Sequence, residues 1–446
     1  MELINSKEEL QTALSSILDW DGATATLRDE AQLRNTLIDR LVYTATFTED
    51  DELKKEVQLL IRALAEYLHC APHSIHDLYI AAGRNEVGGF TVPAMNVRTL
   101  TYDFAQTVFR LAQQHNIGPF VFEIARSEQE YTDQHPMEFV TSILAGAIKT
   151  GYNGPVFLQG DHYQFKPAKF RENREGEIER IKSIIKESVD AGFYNIDIDA
   201  STLVDLSKTD LNEQQKDNYE MTALMTEYIR SIQPEGITVS VGGEIGHIGG
   251  VNSTVADFRT FMDGYLKHLP QGMTGISKVS VQTGTSHGGT VLPDGTIADV
   301  NLDFSILKTI GECARNEYHL GGPVQHGAST LKDQYFTEFP HVYTLEIHLA
   351  TEFQNIIYAH LPHDVKGEIE TWIKENLANE REDGWNDGQF VYKLRKKAWG
   401  PFKQVMWDLE ESEKQPILAA LESKLTTYFQ ALNIFNTKDV VLKHLH

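Results

Sequence analysis

The chain has 446 residues, of which 41% are hydrophobic, 10% aromatic and 23% charged, and its formal net charge at pH 7 is -24. This composition is typical of a folded globular protein and excludes a disordered or fibrous one. The negative charge argues against nucleic acid or an anionic membrane as the main partner, because the long-range field would repel both. A small anionic substrate stays compatible with it, since backbone amides or a metal can outweigh distant charge inside a cleft.

The N-terminal sequence has no basic stretch followed by an apolar run, and the chain has no uncharged run of the ~18 residues that span a bilayer. Its two cysteines, Cys70 and Cys313, lie far apart and outside any CxxC or Cys/His cluster. We expect both to be reduced core residues. The sequence therefore predicts a soluble, cytoplasmic protein.

The first part of the chain has the periodicity of helices. The stretches SKEELQTALSSIL and DDELKKEVQLLIRALAEYL place apolar residues three and four positions apart, and a Ser or Asp suited to capping precedes each one. This pattern predicts an N-terminal helical extension over residues 1–76.

From about residue 88 the pattern changes to short runs rich in Val, Ile and Phe, which alternate with longer amphipathic stretches. The eight runs lie near residues 89–96, 119–125, 154–161, 195–201, 237–244, 276–284, 322–327 and 343–350. Each gap can hold a helix. Eight such units favour an α/β fold of the closed (β/α)8 type, a TIM barrel, over an open doubly wound sheet. The predicted barrel domain covers residues 77–360.

After the barrel the sequence becomes helical again, with amphipathic stretches at 363–378 and 412–432. This predicts a C-terminal helical extension over residues 361–446. The basic run at 395–397 lies between the two stretches, and we interpret it as a solvated face. Substrate contact by one of its charges is the alternative.

Polar residues repeatedly follow the apolar runs, at the positions that form the catalytic rim of a barrel. Asp161 and His162 follow the third strand, Asp199 the fourth, Glu244 the fifth, His287 the sixth and His326 the seventh, and His348 lies in the eighth. Histidines on converging strand ends can direct ring nitrogens at one point and leave positions open for water or substrate. The trio His162, His287 and His326 therefore predicts a catalytic divalent metal site. The alternative for each histidine is an ordinary hydrogen-bonded polar residue.

The acidic residues of the rim allow more than one role. Asp161 should point in a different direction from its neighbour His162, where it could act on the substrate as acid and base or, alternatively, hold a histidine in place. Glu244 and Asp199 could complete the metal site, bind a second position of the metal or orient its ligands.

Small residues follow two of the histidines. Gly288 and Gly327 allow backbone amides to approach a ligand closely, and Ser329 adds a hydroxyl donor. The loops after the sixth and seventh strands could thus hold a phosphate or a similar anion. Alternatively, the glycines only form tight turns.

Five motifs in order, VFLQGDH, IDAS, GGEIG, QTGTSHGG and VQHGAST, resemble the class II, zinc-dependent fructose-bisphosphate aldolases and related ketose-bisphosphate aldolases over about residues 88–360. The stretch VPAMNV is similar to that family's first strand and places Asn96 at its substrate-binding position. The resemblance implies a lyase that cleaves a sugar or sugar phosphate through a zinc-stabilised enediolate, as a homodimer. It makes His162, His287 and His326 the zinc ligands and Asp161 the proton donor and acceptor at the C4 hydroxyl.

The same resemblance places Glu244 and Asp199 near the metal and makes Gly288, Gly327 and Ser329 the phosphate pocket. The chain also departs from the family pattern. Ala125 stands where the family has a serine, HLAT at 348–351 replaces Asn-x-Asp-Thr, and GGVNST at 249–254 replaces a loop with a glutamate. These differences argue against fructose 1,6-bisphosphate as the substrate.

His348, or a residue of the C-terminal helices, could replace the absent glutamate at the substrate. The long terminal extensions are more loosely similar to aldolase-associated subunits and uronate epimerases on related barrels. Three hypotheses follow: a metal-dependent aldolase, a metal-dependent keto-sugar or uronate epimerase, and a catalytically silent aldolase-associated subunit or sugar-binding protein.

Overall fold

The computed structural model of the protein describes residues 1–246, 251–284 and 302–445, except for the side chain of Thr330. The N-terminal extension combines helices with one small hairpin. Its elements are α1 (Lys7–Leu14), β1 (Leu18–Trp20), β2 (Ala25–Leu27), α2 (Glu30–Gln32), a π-helical turn (Leu33–Leu37), α3 (Ile38–Phe47) and α4 (Asp51–Tyr67). The two amphipathic stretches of the sequence are thus helices α1 and α4.

The hairpin corrects the expectation that this whole region is helical. Strands β1 and β2 pair antiparallel, with Leu18 opposite Leu27. Gly22 adopts a left-handed φ of 95° in the turn, and the Asp21 carboxylate accepts hydrogen bonds from the backbone N–H groups of Ala23 and Thr24. This turn chemistry closes the hairpin, which lies between α1 and α2.

A closed barrel of eight parallel strands follows the extension, which confirms the predicted fold class. After the short β3 (Pro72–His73) and helix α5 (His76–Gly83), the barrel strands are β4 (Val92–Asn96), β5 (Val121–Ala125), β6 (Val156–Gln164), β7 (Asn195–Asp199), β8 (Ser240–Glu244), β9 (Lys278–Val281), β10 (Pro323–Gln325) and β11 (Glu346–Leu349). Each strand pairs with the next, β11 pairs with β4, and β6 pairs with β7. Seven of the eight predicted runs contain one of these strands, and β6 begins within the run at 154–161 and continues to Gln164.

Helices surround the barrel in the order that the sequence predicts. They are α6 (Thr101–Gln114), α7 (Arg126–Thr132), α8 (Pro136–Thr150), α9 (Pro167–Glu172), α10 (Arg174–Ala191), α11 (Leu211–Ile232), α12 (Val255–His268), α13 (Phe304–Tyr318) and α14 (Thr351–His360). The gap between β10 and β11 differs from the others. It holds two 3-10 segments, Ala328–Thr330 and Asp333–His341, and the second contains Pro340 near its end.

The amino-terminal end of the barrel is closed by α5. Tyr79 of this helix is fully buried, and its hydroxyl donates a hydrogen bond to Glu346 inside the barrel. Ile75 and Leu78 pack against Val92 and Phe157 at the start of the strands. In the described part of the chain, α5 therefore covers the amino-terminal end of the barrel.

The C-terminal extension consists of helices α15 (His363–Asn376), α16 (Asp387–Leu394), α17 (Lys403–Asp408), α18 (Glu411–Ala431) and α19 (Lys438–Lys443). Helix α18 packs on α6 and α14, and Tyr428 stacks on Phe336 at 4.4 Å between ring centroids. One hydrophobic cluster runs from Ile4 to Ile434.

The division of the chain into domains at residues 76 and 360 stays a prediction. No helix in the described part of the chain is long and apolar enough to cross a membrane.

Candidate active site

A cavity of about 590 Å³ opens at the carboxyl ends of the barrel strands. Nine residues of the predicted site line it: Asn96, Asp161, His162, Asp199, Glu244, His326, Gly327, Ser329 and His348. The predictions for His287 and Gly288 lie outside the described residues. The cavity therefore brings together residues from six of the eight strands or the turns that follow them, and the roles assigned to these residues stay predictions.

A bulge in β6 turns two consecutive side chains towards the cavity. In a regular strand, neighbours such as Asp161 and His162 point to opposite faces. Here the pairing between β6 and β7 shifts between Gly160 and Tyr163, and His162 has a left-handed φ of 47°. Both Asp161 and His162 line the cavity as a result, and His162 Nε2 lies 3.8 Å from Asp161 Oδ1. Bulges next to active sites commonly redirect a side chain in this way.

His162 lies at the centre of a group of possible metal ligands. Its Nδ1 is 3.2 Å from Glu244 Oε2 and 3.3 Å from Asp199 Oδ2. Its ring lies 4.4 Å from that of His326, centroid to centroid, and His326 Nε2 is 3.0 Å from the hydroxyl of Ser280. Two imidazoles and two carboxylates from four strands thus converge on one place.

Three groups among the described residues have ligand atoms that all lie within 4.8 Å of one another. The groups are His162 with Glu244 and His326, Asp161 with His326 and His348, and Asp197 with Glu346 and His348. In the third group, the ammonium of Lys278 already contacts both carboxylates. The first group offers two imidazole nitrogens and a carboxylate oxygen, a donor set that fits a divalent metal such as zinc.

The carboxylates beside His162 differ in their surroundings. Burial disfavours the ionised form of Asp199, but hydrogen bonds from His162, Ser201 and Gln164 outweigh this effect and lower its pKa. Burial raises the pKa of Glu244 to about 7, and the charge of Asp199 adds to the shift. These shifts favour the ionised form of Asp199, and a cation near Glu244 would favour its ionised form as well.

His348 connects Asp161 to acidic residues deeper in the barrel. Its Nδ1 lies 3.0 Å from Glu123 Oε2 and 3.3 Å from Asp161 Oδ1, and its Nε2 lies 2.7 Å from Glu346 Oε1. Burial works against its charged form, but Glu123 and Asp161 raise its pKa well above the usual value. Its ring also packs on His326 with centroids 4.0 Å apart. His348 is thus placed to orient Asp161 as well as to face the cavity.

A charged network that the sequence motifs do not predict lies below this layer. Lys278 is fully buried, and its ammonium donates to Gln159 Oε1 at 2.6 Å, to Asp197 Oδ2 at 3.0 Å and to Glu346. Burial raises the pKa of Asp197 to about 6 and that of Glu123 to about 7. The sequence contains one sign of this network, namely charged residues within otherwise apolar strands. Alternate positions of each strand in a closed barrel face its interior, so such residues can meet there.

The predicted anion-binding residues lie in the same cavity. Gly327 has a left-handed φ of 69°, which glycine adopts without strain, and it opens the turn after β10. The Ser329 hydroxyl accepts a hydrogen bond from the Ala350 N–H at 2.7 Å. Asn96 donates to Glu128 and accepts from Arg98 Nε at 3.0 Å. Among the described residues the Ser329 hydroxyl donates no hydrogen bond, so its O–H can reach a ligand, while Asn96 is already bonded to both Glu128 and Arg98.

The basic run at 395–397 is not a solvated face. Arg395 is buried, and its guanidinium lies over the rings of Tyr392 and Tyr358 at 4.2 and 4.8 Å. Lys397 forms an ion pair with Glu380. Lys396 lines the cavity. The interpretation as a solvated face is therefore wrong, because this segment folds back onto the open end of the barrel.

The fold and this arrangement define the class of protein: a (β/α)8 barrel with a candidate metal centre at the carboxyl ends of its strands. The sequence profile described as "Fructose-bisphosphate aldolase class-II" matches residues 80–414, most of the chain. The protein belongs to the class II fructose-bisphosphate aldolase family. No curated protein gives a significant match to the sequence.

Solved structures share the barrel at low sequence identity. A fructuronate-tagaturonate epimerase from Cohnella laeviribosi is 10% identical, with 78% of this chain and 82% of that chain covered and a TM-score of 0.55. A probable tagatose 6 phosphate kinase from Sinorhizobium meliloti is 12% identical, with coverages of 76% and 100% and a TM-score of 0.54. A fructose-bisphosphate aldolase from Campylobacter jejuni is 18% identical, with coverages of 82% and 97% and a TM-score of 0.47. Likeness at these identities concerns the fold alone.

Proposed function

We propose that this protein is a class II aldolase, a lyase that reversibly cleaves a ketose or a ketose phosphate and binds one zinc ion per chain. The observation that carries the proposal is the convergence of His162, Glu244 and His326 beside Asp161. Membership of the family supports the reaction type. In this proposal His287 is the third histidine ligand, as the sequence motif predicts.

Zinc, when bound, polarises the ketone and stabilises the negative charge that develops as the carbon–carbon bond breaks. Asp161 takes the proton from the C4 hydroxyl during cleavage and returns it in the condensation direction. His348 holds Asp161 in position through the 3.3 Å contact with its carboxylate. Asp199, fixed by Ser201 and Gln164, orients the ring of His162.

A metal-dependent epimerase of a keto-sugar or uronate is the second candidate. The observation that favours it is the pair formed by Asp161 and His348, two groups able to carry a proton that lie 3.3 Å apart in one cavity. Such a pair could remove a proton from one carbon of the substrate and return a proton to the same carbon, with no carbon–carbon bond cleaved. Conversion of a substrate into its epimer with no release of an aldehyde would identify this function.

The first experiment measures the metal content of the purified protein after zinc is supplied, with circular dichroism to check folding. We expect about one zinc per chain in the wild type and a loss of zinc in His162→Ala, His287→Ala and His326→Ala. His268→Ala is the matched control, because His268 lies on α12 outside the cavity lining, with Nδ1 2.8 Å from the Gly264 carbonyl and Nε2 3.7 Å from Glu220 Oε1. Full retention of zinc in the three folded variants would refute the site.

The second experiment measures turnover with a panel of ketose phosphates, free ketoses and uronates, through the aldehyde released. Asp161→Asn should keep its zinc and lose about 100-fold or more in kcat, the usual scale of acid–base catalysis. A zinc-loaded wild type that neither cleaves nor epimerises any member of the panel, and co-purifies with an active aldolase, would favour a catalytically silent subunit instead.

We also propose that the protein works in the cytoplasm as a homodimer on a sugar or sugar-phosphate substrate, without nucleic acid or membrane partners. The family relationship and the net charge of -24 support this assignment. Light scattering coupled to size-exclusion chromatography tests the assembly. A mass of one chain across the working concentration range would rule out the dimer.

A further inference from the structure

The cavity contains more positive charge than a chain with a net charge of -24 would suggest. Six cationic side chains line it: Arg98, Arg126, Lys166, Arg180, Lys393 and Lys396. The three arginines have partners, since Arg98 pairs with Glu128 at 2.7 Å, Arg126 with Glu130 at 3.7 Å and Arg180 with Glu177 at 2.6 Å. None of the three lysines forms an ion pair with a carboxylate in the described part of the chain. Their charge is therefore available to a ligand.

Two of these lysines belong to the C-terminal extension. Lys396 lies over the ring of Tyr131, with its Nζ 5.7 Å from the centroid. Its partial burial lowers its pKa, and the neighbouring charges of Arg98, Lys397 and Lys393 lower it further. An oxyanion placed here would relieve this repulsion between cations.

The contacts of the segment around Lys396 hold it in place. Trp399 donates its indole N–H to Gln354 Oε1 at 3.1 Å, and the same oxygen accepts from Arg98 Nη1 at 3.2 Å. The Gly400 N–H donates to the Tyr131 carbonyl at 3.1 Å, and a side chain at Gly400 would meet that carbonyl at 2.7 Å. The segment is thus fixed before a ligand arrives, which reduces the entropy lost on binding.

We propose that Lys393 and Lys396 form an oxyanion subsite in the cavity, which binds a phosphate or carboxylate group of the substrate. The subsite is separate from the predicted pocket at Gly327 and Ser329, which lies on the loop after β10 and uses backbone amides and a hydroxyl. The inference rests on the proposed function only in taking the ligand to be the substrate. Binding of a simple anion needs no turnover, so the two proposals can fail independently.

The test titrates the zinc-loaded full chain with inorganic phosphate and, separately, with succinate, and measures heat of binding at pH 8. Lys393→Gln and Lys396→Gln should each weaken the preferred anion by about tenfold, the usual scale for one charged hydrogen bond. Lys396→Arg should restore most of the affinity. Lys397→Gln is the matched control and should bind like the wild type, because Lys397 pairs with Glu380. The wild type's preference between phosphate and succinate identifies the group recognised.

Unchanged affinity for both anions in Lys393→Gln and Lys396→Gln would overturn the proposal. So would an equal loss in Lys397→Gln, which would indicate a diffuse surface charge, or a loss confined to Ser329→Ala, which would assign binding to the other pocket. The zinc content of each sample is measured alongside, so loss of the metal centre is distinguished from loss of the subsite.

Discussion

The ammonium of Lys278 lies in the interior of the barrel, where it contacts two buried carboxylates and favours their ionised forms. Asp197 lies 3.0 Å from it, and Glu346 is also in contact. Burial opposes the charged form of Glu346, but Lys278 and His348 lower its pKa well below the usual value. An isolated buried carboxylate is costly, whereas one in contact with an ammonium is tolerated. Lys278 therefore favours the ionised forms of Glu346 and Asp197, which lie below the candidate metal site.

We predict that Lys278→Met lowers the free energy of unfolding by roughly 3–5 kcal/mol, because it removes the ammonium that contacts two buried carboxylates and leaves them with His348 as their cationic neighbour. In the variant these carboxylates have raised pKa values when folded, so the folded state binds more protons than the unfolded state. The stability deficit should therefore shrink as the pH falls from about 8 to about 5. Urea denaturation at several pH values measures it.

Lys186→Met is the control for this prediction, since Lys186 and its partner Asp190 are both more than half exposed. That variant should denature at nearly the wild-type urea concentration. A Lys278→Met protein as stable as the wild type at pH 8 would contradict the role assigned to the ammonium.

At the scale of single residues, the sequence predicted the part of the site that lies at strand ends. Asp161, His162, Asp199, Glu244 and His326 meet in the structure because the carboxyl ends of parallel strands share one rim. Residues inside the strands, such as Glu123 and Lys278, escaped prediction. Which alternate positions face the barrel interior depends on the register between strands, and a single sequence does not specify that register.

The bulge in β6 allows two neighbouring residues, the acid–base candidate Asp161 and the candidate metal ligand His162, to face the same cavity. The bulge between Gly160 and Tyr163 requires the left-handed backbone of His162, a conformation that costs about 1–3 kcal/mol in a residue other than glycine. Gly160 makes room for the Tyr163 ring, since a side chain there would overlap the phenol. The Tyr163 hydroxyl is also hydrogen-bonded to Ser188 on α10. Packing around Tyr163 thus holds the strand in its strained form.

Gly160→Ala should destabilise the protein by about 1–3 kcal/mol, because the added methyl group displaces Tyr163 and overpacks the site. It should also weaken zinc binding, since His162 would shift with the strand. Thermal unfolding and metal content measure the two effects. The matched control is Gly367→Ala on helix α15, where a side chain meets nothing within 4 Å and alanine favours the helix. Wild-type zinc content in a less stable Gly160→Ala would show that the bulge does not position His162.

At the scale of elements, periodicity predicted the eight strands and the long helices but not the irregular pieces. The hairpin of β1 and β2 depends on a turn of Asp21 and Gly22 within a short stretch between helices. The 3-10 segments after β10 are stabilised by tertiary contacts, such as the stacking of Phe336 on Tyr428. An element whose conformation depends on contacts with residues distant in sequence is only weakly indicated by its own local sequence.

For the molecule as a whole, the terminal extensions share the core of the barrel. The same hydrophobic cluster contains Leu41 of α3, Phe104 of α6 and Leu425 of α18. Removing the extensions would expose the outer faces of the barrel helices to water. We infer that the chain unfolds as one cooperative unit.

We therefore predict that a fragment of residues 77–360 does not fold by itself. Circular dichroism during heating should show no cooperative transition for the fragment, while the full chain, treated identically, shows one. A fragment that unfolds cooperatively would instead support independent domains with boundaries near residues 76 and 360.

Zinc should stabilise the whole molecule, because it binds the folded chain at side chains from several strands that are far apart in the unfolded chain. At a free concentration about 100 times its Kd, a ligand of the folded state adds about 2.7 kcal/mol to the free energy of unfolding. Removal of zinc by a chelator should lower Tm without unfolding the protein, since the hydrophobic core does not include the metal ligands. Differential scanning calorimetry with and without zinc measures the shift, and His326→Ala should show almost none. An equal shift in His326→Ala would mean that zinc binds elsewhere, whereas a shift confined to the wild type would link the stability of the barrel to the residues at its rim.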